Sequence, residues 1–468
     1  MSKRREISAA LQAHLNEEYG DRFKEVREVY PEFTKDQEVR LGILLNNIDE
    51  AIGARFDTML NEDATLSAPN VIQGIKTTYF DIVEAVFPNL IAEELFSVQP
   101  IQNRTGQIFF LRYVYGTTKG NVTKGSTIFG PNEIAGYENA NYTREHIEDE
   151  SITAPTADAL QAEVSLTYYP VIKGSVEITI DSAVIHDDGL GKLLDANNKI
   201  RGSVDYSTGK CTIFAGTTAF KGTEDITADY DSTFESNPSS IPEIELKIDD
   251  TFVHARPRKL RGLYSFDAGY DLKQSQGIDI QEALLQAAAM QLKNETDGEL
   301  IRTAYDQAGR TTTWTNNPTS QPALSRKEYY EAFVEHIFQE CSAIRQKTKR
   351  VSGNFIVCGK KAGDILQFIG APRFVGTGYG AGEVGPYYAG MLDNRIKVYI
   401  DPFLAEDEYL IGYKGQNLID AGLIYAPYLL FFATETVTLD DFLGRRGFCT
   451  SYGKKMINNN FYISGKIV

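Results

Sequence analysis

Histidine and cysteine are scarce in this sequence, five and four residues in 468, and neither type is clustered. His14, His146, His186, His254 and His336 share no HExxH or HxH spacing, so a metal site would have to be assembled by the fold alone. Cys211, Cys341, Cys358 and Cys449 form no CxxC pair. That excludes a disulfide framework and a zinc knuckle, and predicts free, mostly buried thiols in a reducing cytoplasm. Long apolar runs are missing as well: none reaches the roughly 18 residues that cross a bilayer. The start, MSKRREISAALQAHLNEEYG, turns polar and acidic within a few residues and lacks the apolar core of a secretory signal. Positive charge is in deficit, with 47 Lys and Arg against 64 Asp and Glu and a net charge of −17. Bulk electrostatics therefore oppose nucleic-acid binding, which needs cations to displace counterions from phosphates.

Catalytic signatures are absent too. No G-x-S-x-G elbow occurs. The run Gly376-Thr377-Gly378-Tyr379-Gly380-Ala381-Gly382 looks like a nucleotide loop, but Glu383 and Pro386 follow where Lys and Ser or Thr would be needed, so it reads as a surface loop. Asp187-Asp188-Gly189 and Glu224-Asp225 lack the alternating carboxylates of a calcium loop and read as turns. The densest basic segment, Arg256 to Arg261 (RPRKLR), reads first as a solvated or subunit-facing strip and only second as a DNA patch. The 26 tyrosines and 25 phenylalanines suit core packing and subunit contact ahead of stacking on sugars or bases. The sequence thus nominates no catalytic, cofactor-binding or metal-binding residue, and no cofactor.

What is present is organised structure. The length suggests two or three domains. Leu41, Leu44, Leu45, Ile48, Ile52, Phe56 and Met59 step by three or four, predicting an amphipathic helix that needs a partner, either its own domain or a separate helical protein. Pro31 separates it from an earlier helix over roughly residues 6–29, and 63–70 (DATLSAPN) reads as a linker. Residues 87–116 (FPNLIAEELFSVQPIQNRTGQIFFLRYVYG) read as a helix start, a turn and a strand from Ile108 to Tyr115. Short alternating runs punctuated by turns fill 117–257, and 186–231 within them reads as a compact β module with a hairpin turn at Tyr206-Ser207-Thr208-Gly209. A long helix is predicted over 278–309, capped by Asp279 with Glu282 and stopped by Gly309, and a second helix over 325–348.

Several segments resemble one family. The 87–116 stretch carries a "PNLIA…VQP…TG…F.LR" pattern similar to that of the major capsid proteins of T-even-type tailed bacteriophages. Residues 259–308, NRIKVYIDPF (394–403), YLIGYKGQNLIDAGLIYAPY (409–428) and LGRRGFCTSYG (443–453) are similar to later blocks of that family, in the same order. MLNEDA (59–64) resembles its prohead-protease cleavage site, and the "DDG.G…G.V.Y.TG" module resembles segments of phage structural proteins.

The resemblance implies an α+β chain with the Hong Kong 97 coat-protein fold. It places a helical, scaffold-contacting pro-region at 1–62, and the N-arm with the start of the peripheral domain at 63–116. The extended loop with its β insertion (186–231) would follow at 117–257, the peripheral domain with its spine helix at 258–310, and the axial domain with return strands at 311–468. It implies a non-enzymatic head protein that forms hexamers of an icosahedral shell and is cut between Glu62 and Asp63. Its partners would be itself, a vertex protein, a scaffold, a prohead protease and decoration proteins. It would occupy the virion, and the host cytoplasm during assembly, without a membrane. DNA would be enclosed without sequence-specific contact, behind acidic walls that repel it. Arg104 and Arg112 are expected in subunit-interface salt bridges. The alternatives are a pentameric vertex paralogue, an encapsulin-like nanocompartment, and a carbohydrate-binding or hydrolytic β-rich protein.

Overall fold

The computed structural model describes residues 15, 17, 19–28, 30, 34–62, 90–119, 122–128, 142–153, 158–215, 220–223, 225–233, 241–277, 279–315, 326–377, 385–415, 417–434, 436–438 and 443–468. Helices and sheets are both extensive, so the fold is α+β. The chain divides into two compact units, Met1–Phe110 with Asp249–Val468, and Leu111–Ile248.

The first unit holds two sheets. The larger has seven strands in the order Arg310–Trp314, Tyr462–Ile467, Glu408–Gly412, Phe355–Cys358, Ile396–Ile400, Tyr387–Leu392 and Phe374–Gly376. Tyr462–Ile467 lies inside it, parallel to Arg310–Trp314 and antiparallel to Glu408–Gly412. The run Phe355-Ile356-Val357-Cys358 is apolar throughout because both of its faces are covered. Successive side chains point to opposite faces. Ile356 and Cys358 join the core under helices Arg326–Thr348 and Lys360–Ile369. Phe355 and Val357 join the core beneath Leu300, Ile301 and Ala304 of the long helix Ile280–Asp306.

That helix starts where the sequence predicts, with the Asp279 carboxylate accepting from the Gln281 amide at 2.9 Å. It ends at Asp306, short of Gly309. The Gly309 amide instead donates to the Asn459 and Tyr462 carbonyls at 2.9 and 3.1 Å. A Cβ at this position would stand 2.8 Å from the Asn459 oxygen, so the glycine serves close packing and does not stop the helix. A shorter helix, Phe266–Gln276, precedes it and closes on Gly277 at a left-handed φ of 70°.

The second sheet of this unit runs Ser97–Val98, Leu423–Ala433, Leu443–Met456 and Arg256–Ser265, with Val437–Thr438 also paired to Leu443–Met456. The register of Leu423–Ala433 slips after Pro427, the position where a proline is tolerated within a strand. Against this sheet lies the helix Lys35–Glu62. The first half of its predicted stripe finds a partner within the chain, while the side chains of Ile52, Phe56 and Met59 lie outside the described residues. Leu41, Leu44, Leu45 and Ile48 are fully buried in one core with Leu285, Ala288, Ala289 and Leu292 of the long helix and Leu430, Phe431, Ala433 and Phe448 of the sheet. Residues 19–28 are helical and add Tyr19, Phe23 and Val26 to that core.

The unit Leu111–Ile248 is a separate β structure with its own core of Ile178, Leu193, Cys211, Ile213, Ile226, Ala228 and Tyr230. Its eight antiparallel strands run in the order His146–Ile152, Ile226–Asp231, Glu177–Ile180, Ala183–Asp187, Lys192–Asp195, Ile200–Asp205, Lys210–Phe214 and Gln161–Ser165. The 206–209 hairpin turn is present between Ile200–Asp205 and Lys210–Phe214. The sheet is wider than the 186–231 module read from the sequence, since it begins at His146. It also takes in Glu177–Ile180 and the two edge strands, of which HIEDESI hides its alternation behind successive acids while QAEVS alternates strictly.

Candidate functional site

The residue types that could carry chemistry are dispersed; His14 lies outside the described residues and His186 is exposed. His146 meets Asp231 at 2.5 Å, His254 meets the Thr105 hydroxyl at 2.9 Å, and His336 meets the Tyr409 hydroxyl at 3.1 Å. Asp187 accepts from the Gly174 and Gly189 amides and the Tyr206 hydroxyl, and Asp188 accepts from the Leu190 and Lys192 amides, so both serve turns. Glu224 lies outside the described residues. Among the described residues no group of three His, Cys, Asp or Glu is placed to hold a metal. Cys211, Cys341 and Cys358 are buried and Cys449 is half-buried, all as free thiols. Tyr230, Tyr399, Tyr409, Tyr425 and Tyr462 are fully buried, which is the core-packing role. The basic strip divides: Arg258 turns onto Glu295 and Glu299 of the long helix, while Lys259 and Arg261 are exposed. Most of the glycine-rich loop, 378–384, lies outside the described residues.

The surface offers contact area instead. Strands Thr105–Tyr115 and Ile244–His254 pair as a two-stranded ribbon. Along one face of the second strand Ile244, Leu246, Ile248 and Phe252 are 62, 49, 51 and 68 % exposed, with Asp250 set between the last two. Alternate residues share a face, so this is an apolar stripe turned to solvent, the pattern of a surface meant to be covered. Arg112 is exposed on the first strand, and Arg104 is exposed in the turn before it, where its carbonyl accepts from the Ala255 amide at 2.8 Å. Glu62 ends its helix, and Asp63 lies outside the described residues.

Beside the N-terminal helix is a buried polar cluster that no sequence motif announced. Glu93, 5 % exposed, takes a hydrogen bond from Gln37 at 2.8 Å and an ion pair from Arg40 at 3.2 Å. Lys414 faces the same carboxylate. Burial lowers its pKa to about 8, with Glu93 and Glu94 opposing that shift and Arg40 and Lys397 adding to it. Glu94 accepts from the buried Tyr399 hydroxyl. Deeper in the unit Asp297, on the long helix, accepts from the Ala92 amide at 3.2 Å, while its second oxygen has no partner. Burial pushes its carboxyl up to about 7, against the pull of Lys293 and the backbone donors. Glu299 is the counterexample. Burial works against its charge, yet Lys454, Tyr452 and Arg258 together hold its pKa below the usual range. The one sequence signal for Glu93 is an acid set inside the apolar run LIAEELF.

Comparison with known proteins then gives a consistent picture. The family described as Major capsid protein Gp23 matches residues 72–468. The chain is 26 % identical over 443 residues to the major capsid protein of Enterobacteria phage T4, spanning 86 % of this chain and 82 % of that one. It is likewise 26 % identical to the major capsid protein of Vibrio phage KVP40, over 85 % of this chain and 80 % of that one. Among solved structures it is similar to the jumbo bacteriophage PhiKZ capsid, at a TM-score of 0.39 and 8 % identity, with 81 % of this chain and 92 % of that one covered. The capsid of Myoviridae phage XM1 gives a TM-score of 0.34 at 8 % identity, over 72 % of this chain and 94 % of that one.

Proposed function

The chain belongs to the Gp23 major capsid protein family, whose members build the head shell of tailed phages, and from this premise we propose that it assembles into hexamers of an icosahedral shell enclosing the phage DNA. The observation that carries the reading is the extent of the family match: residues 72–468 include every sheet of both units. The apolar stripe Ile244, Leu246, Ile248 and Phe252 supports it, because burying such a stripe in a neighbouring copy would release its water. Assembly then rests on distributed burial, and no single side chain acts as a chemical centre.

The finer reading follows the Hong Kong 97 coat-protein arrangement. Ile280–Asp306 is the spine helix of a peripheral domain, the Leu111–Ile248 unit belongs to the extended loop, and the seven-stranded sheet forms the axial domain. Arg104 and Arg112 form salt bridges to neighbouring subunits. A scaffold, a vertex protein, decoration proteins and a prohead protease are the expected partners. The protease cuts after Glu62 once the shell has formed, and the subunit ends in the virion after assembling in the host cytoplasm.

Negative-stain microscopy of the expressed chain, with and without a scaffold partner, tests the reading. Shells with this chain as the most abundant protein are expected. A copy number confined to the vertices would assign it to the pentameric paralogue, and a soluble chain that never forms particles would overturn the reading. Mass spectrometry of mature particles is expected to find Asp63 at the new N-terminus, and an intact Met1–Glu62 segment there would remove the processing step.

A further inference from the structure

Where the helix Arg326–Thr348 passes the start of strand Arg310–Trp314, it leaves a cavity of about 170 Å³ in the unit that contains the long helix. Apolar voids of about 150 Å³ take up benzene, so the space suits a group of roughly five to seven heavy atoms. The floor is apolar. Ile344, Tyr462 and Ile463 are almost fully buried, and Ala343 lies beside them.

The rim is basic. The Lys347 ammonium donates to the Gly309 carbonyl at 3.2 Å, and both residues line the cavity. A lysine in the last turn of a helix commonly answers that helix's own carbonyls. Lys347 instead reaches across to another segment, and among the described residues no carboxylate pairs with it. The Arg310 guanidinium donates to one oxygen of Glu340 at 3.2 Å. That oxygen also accepts from the Thr312 hydroxyl at 3.1 Å, while the second oxygen is buried without a partner. Glu340 therefore holds the guanidinium at one point and does not close on it as a two-point fork. An ammonium has three donors and a guanidinium five, so most donors at this rim are unspent.

Two cations and one acid leave the rim positive, in a chain whose net charge is −17. Water would satisfy the rim and gain nothing from the floor. Inorganic phosphate has the same shortcoming. A carboxylate on a short aliphatic stem answers both parts: its oxygens take the free donors, and its methylene groups cover Ile344, Tyr462 and Ile463.

We propose that this cavity is a binding site for a carboxylate on a short aliphatic stem, held by Arg310 and Lys347. A small free acid and a glutamate side chain of a second copy of this chain present the same chemistry to it.

Methyl NMR of the full-length chain, labelled at isoleucine and titrated with butyrate, tests this. The Ile344 and Ile463 signals, assigned by Ile344→Val and Ile463→Val, are expected to shift together and saturate, while Ile178 in the other unit stays in place. Butyramide keeps the stem and loses the charge, and should bind about tenfold or more weakly, as should butyrate to Lys347→Gln. Lys347 is exposed, so this replacement spares the core. Signals that stay still overturn the proposal, as do equal shifts with butyramide or inorganic phosphate. The thermal midpoint gives a second readout without isoleucine variants. It should rise with butyrate in the unmodified chain and not in Lys347→Gln, and an equal response of the two overturns the proposal. Concentration then separates the sources. Shifts that appear on concentrating the chain alone, and that butyrate competes away, assign the carboxylate to a second copy. Shifts that need added acid assign it to a free one. No measurement here needs particles or cleavage, so the outcome is independent of the shell and processing readings.

Discussion

Buried carboxylates are concentrated in one of the two units; in the Leu111–Ile248 unit Asp187 is buried, and it accepts from the Tyr206 hydroxyl and two glycine amides. In the unit that contains the long helix, Glu93, Asp297, Glu340, Asp401 and Asp420 are buried. Arg40, Arg310 and Arg350 meet three of them, and Asp297 relies on backbone donors alone. In the Leu111–Ile248 unit, Asp188 and Asp195 are half-buried and Asp205 is exposed; all three accept from backbone amides or hydroxyls within their own turns, and Asp195 also from Arg201. Those local bonds lower all three pKa values. The buried acids of the first unit therefore depend on long-range partners that must all be in place, whereas these three acids of the second are satisfied locally, beside longer-range bonds such as Tyr230 to Glu150 and Tyr206 to Asp187.

The most severe way to break this comparison is to remove one side of it. The Gly116 amide donates to the Glu243 carbonyl at 2.7 Å, so the chain enters and leaves the β unit at neighbouring points. Replacing 117–242 by a short turn should leave the first unit folded, with its circular dichroism and thermal transition kept, while particles disappear from micrographs. Loss of the folded transition would show that the two units depend on each other. Next in size, Arg350→Met leaves the buried Asp420 without its cation, and urea unfolding should show a loss of about 3–5 kcal/mol, confined to the first unit.

A smaller effect separates the units by the sign of their pH response. The Asp297 carboxyl has its pKa raised from the ordinary range to about 7, so the folded state holds a proton that the unfolded chain has released. Its stabilising effect is complete below about pH 4 and is lost as pH rises towards 7. Asp297→Asn should therefore stabilise the first unit by on the order of 2–4 kcal/mol at pH 8 and by little at pH 4, read as a shift in thermal midpoint. Asp188, Asp195 and Asp205 act the other way, stabilising their turns above their unfolded pKa values and losing that effect as pH falls. The smallest change is Asp205→Ala. Hydrogen exchange at Ser207 and Thr208 should quicken, with no change in the first unit.

The same contrast explains what the sequence made legible. Elements with a strong period were readable: the long helix within a few residues of its ends, Arg326–Thr348, and the hairpin at 206–209. The family itself was readable from blocks such as YLIGYKGQNLIDAGLIYAPY, since short ordered patterns survive where overall identity is low. Strand His146–Ile152 was not, because a charged edge strand has little alternation to read. The apolar stripe of Lys35–Glu62 announced that a partner existed but not which one, because its partners on the long helix and on strand Leu423–Ala433 lie more than 200 positions away. Asp297 and Lys414 escaped for the same reason, since burial of an ionisable group is a property of the assembled core, and for Glu93 the apolar run around it was the one local trace.

The position of Tyr462–Ile467 inside the seven-stranded sheet has a consequence for synthesis on the ribosome. Its neighbour Glu408–Gly412 and the more distant Arg310–Trp314 are made earlier, but the gap between them stays open until the strand arrives. The Leu111–Ile248 unit can fold while translation continues. The first unit must wait for about 220 further residues, roughly 10–40 s at ordinary elongation rates. During that interval the β unit is already complete while the seven-stranded sheet still lacks its inner strand, so the two units become stable at different times.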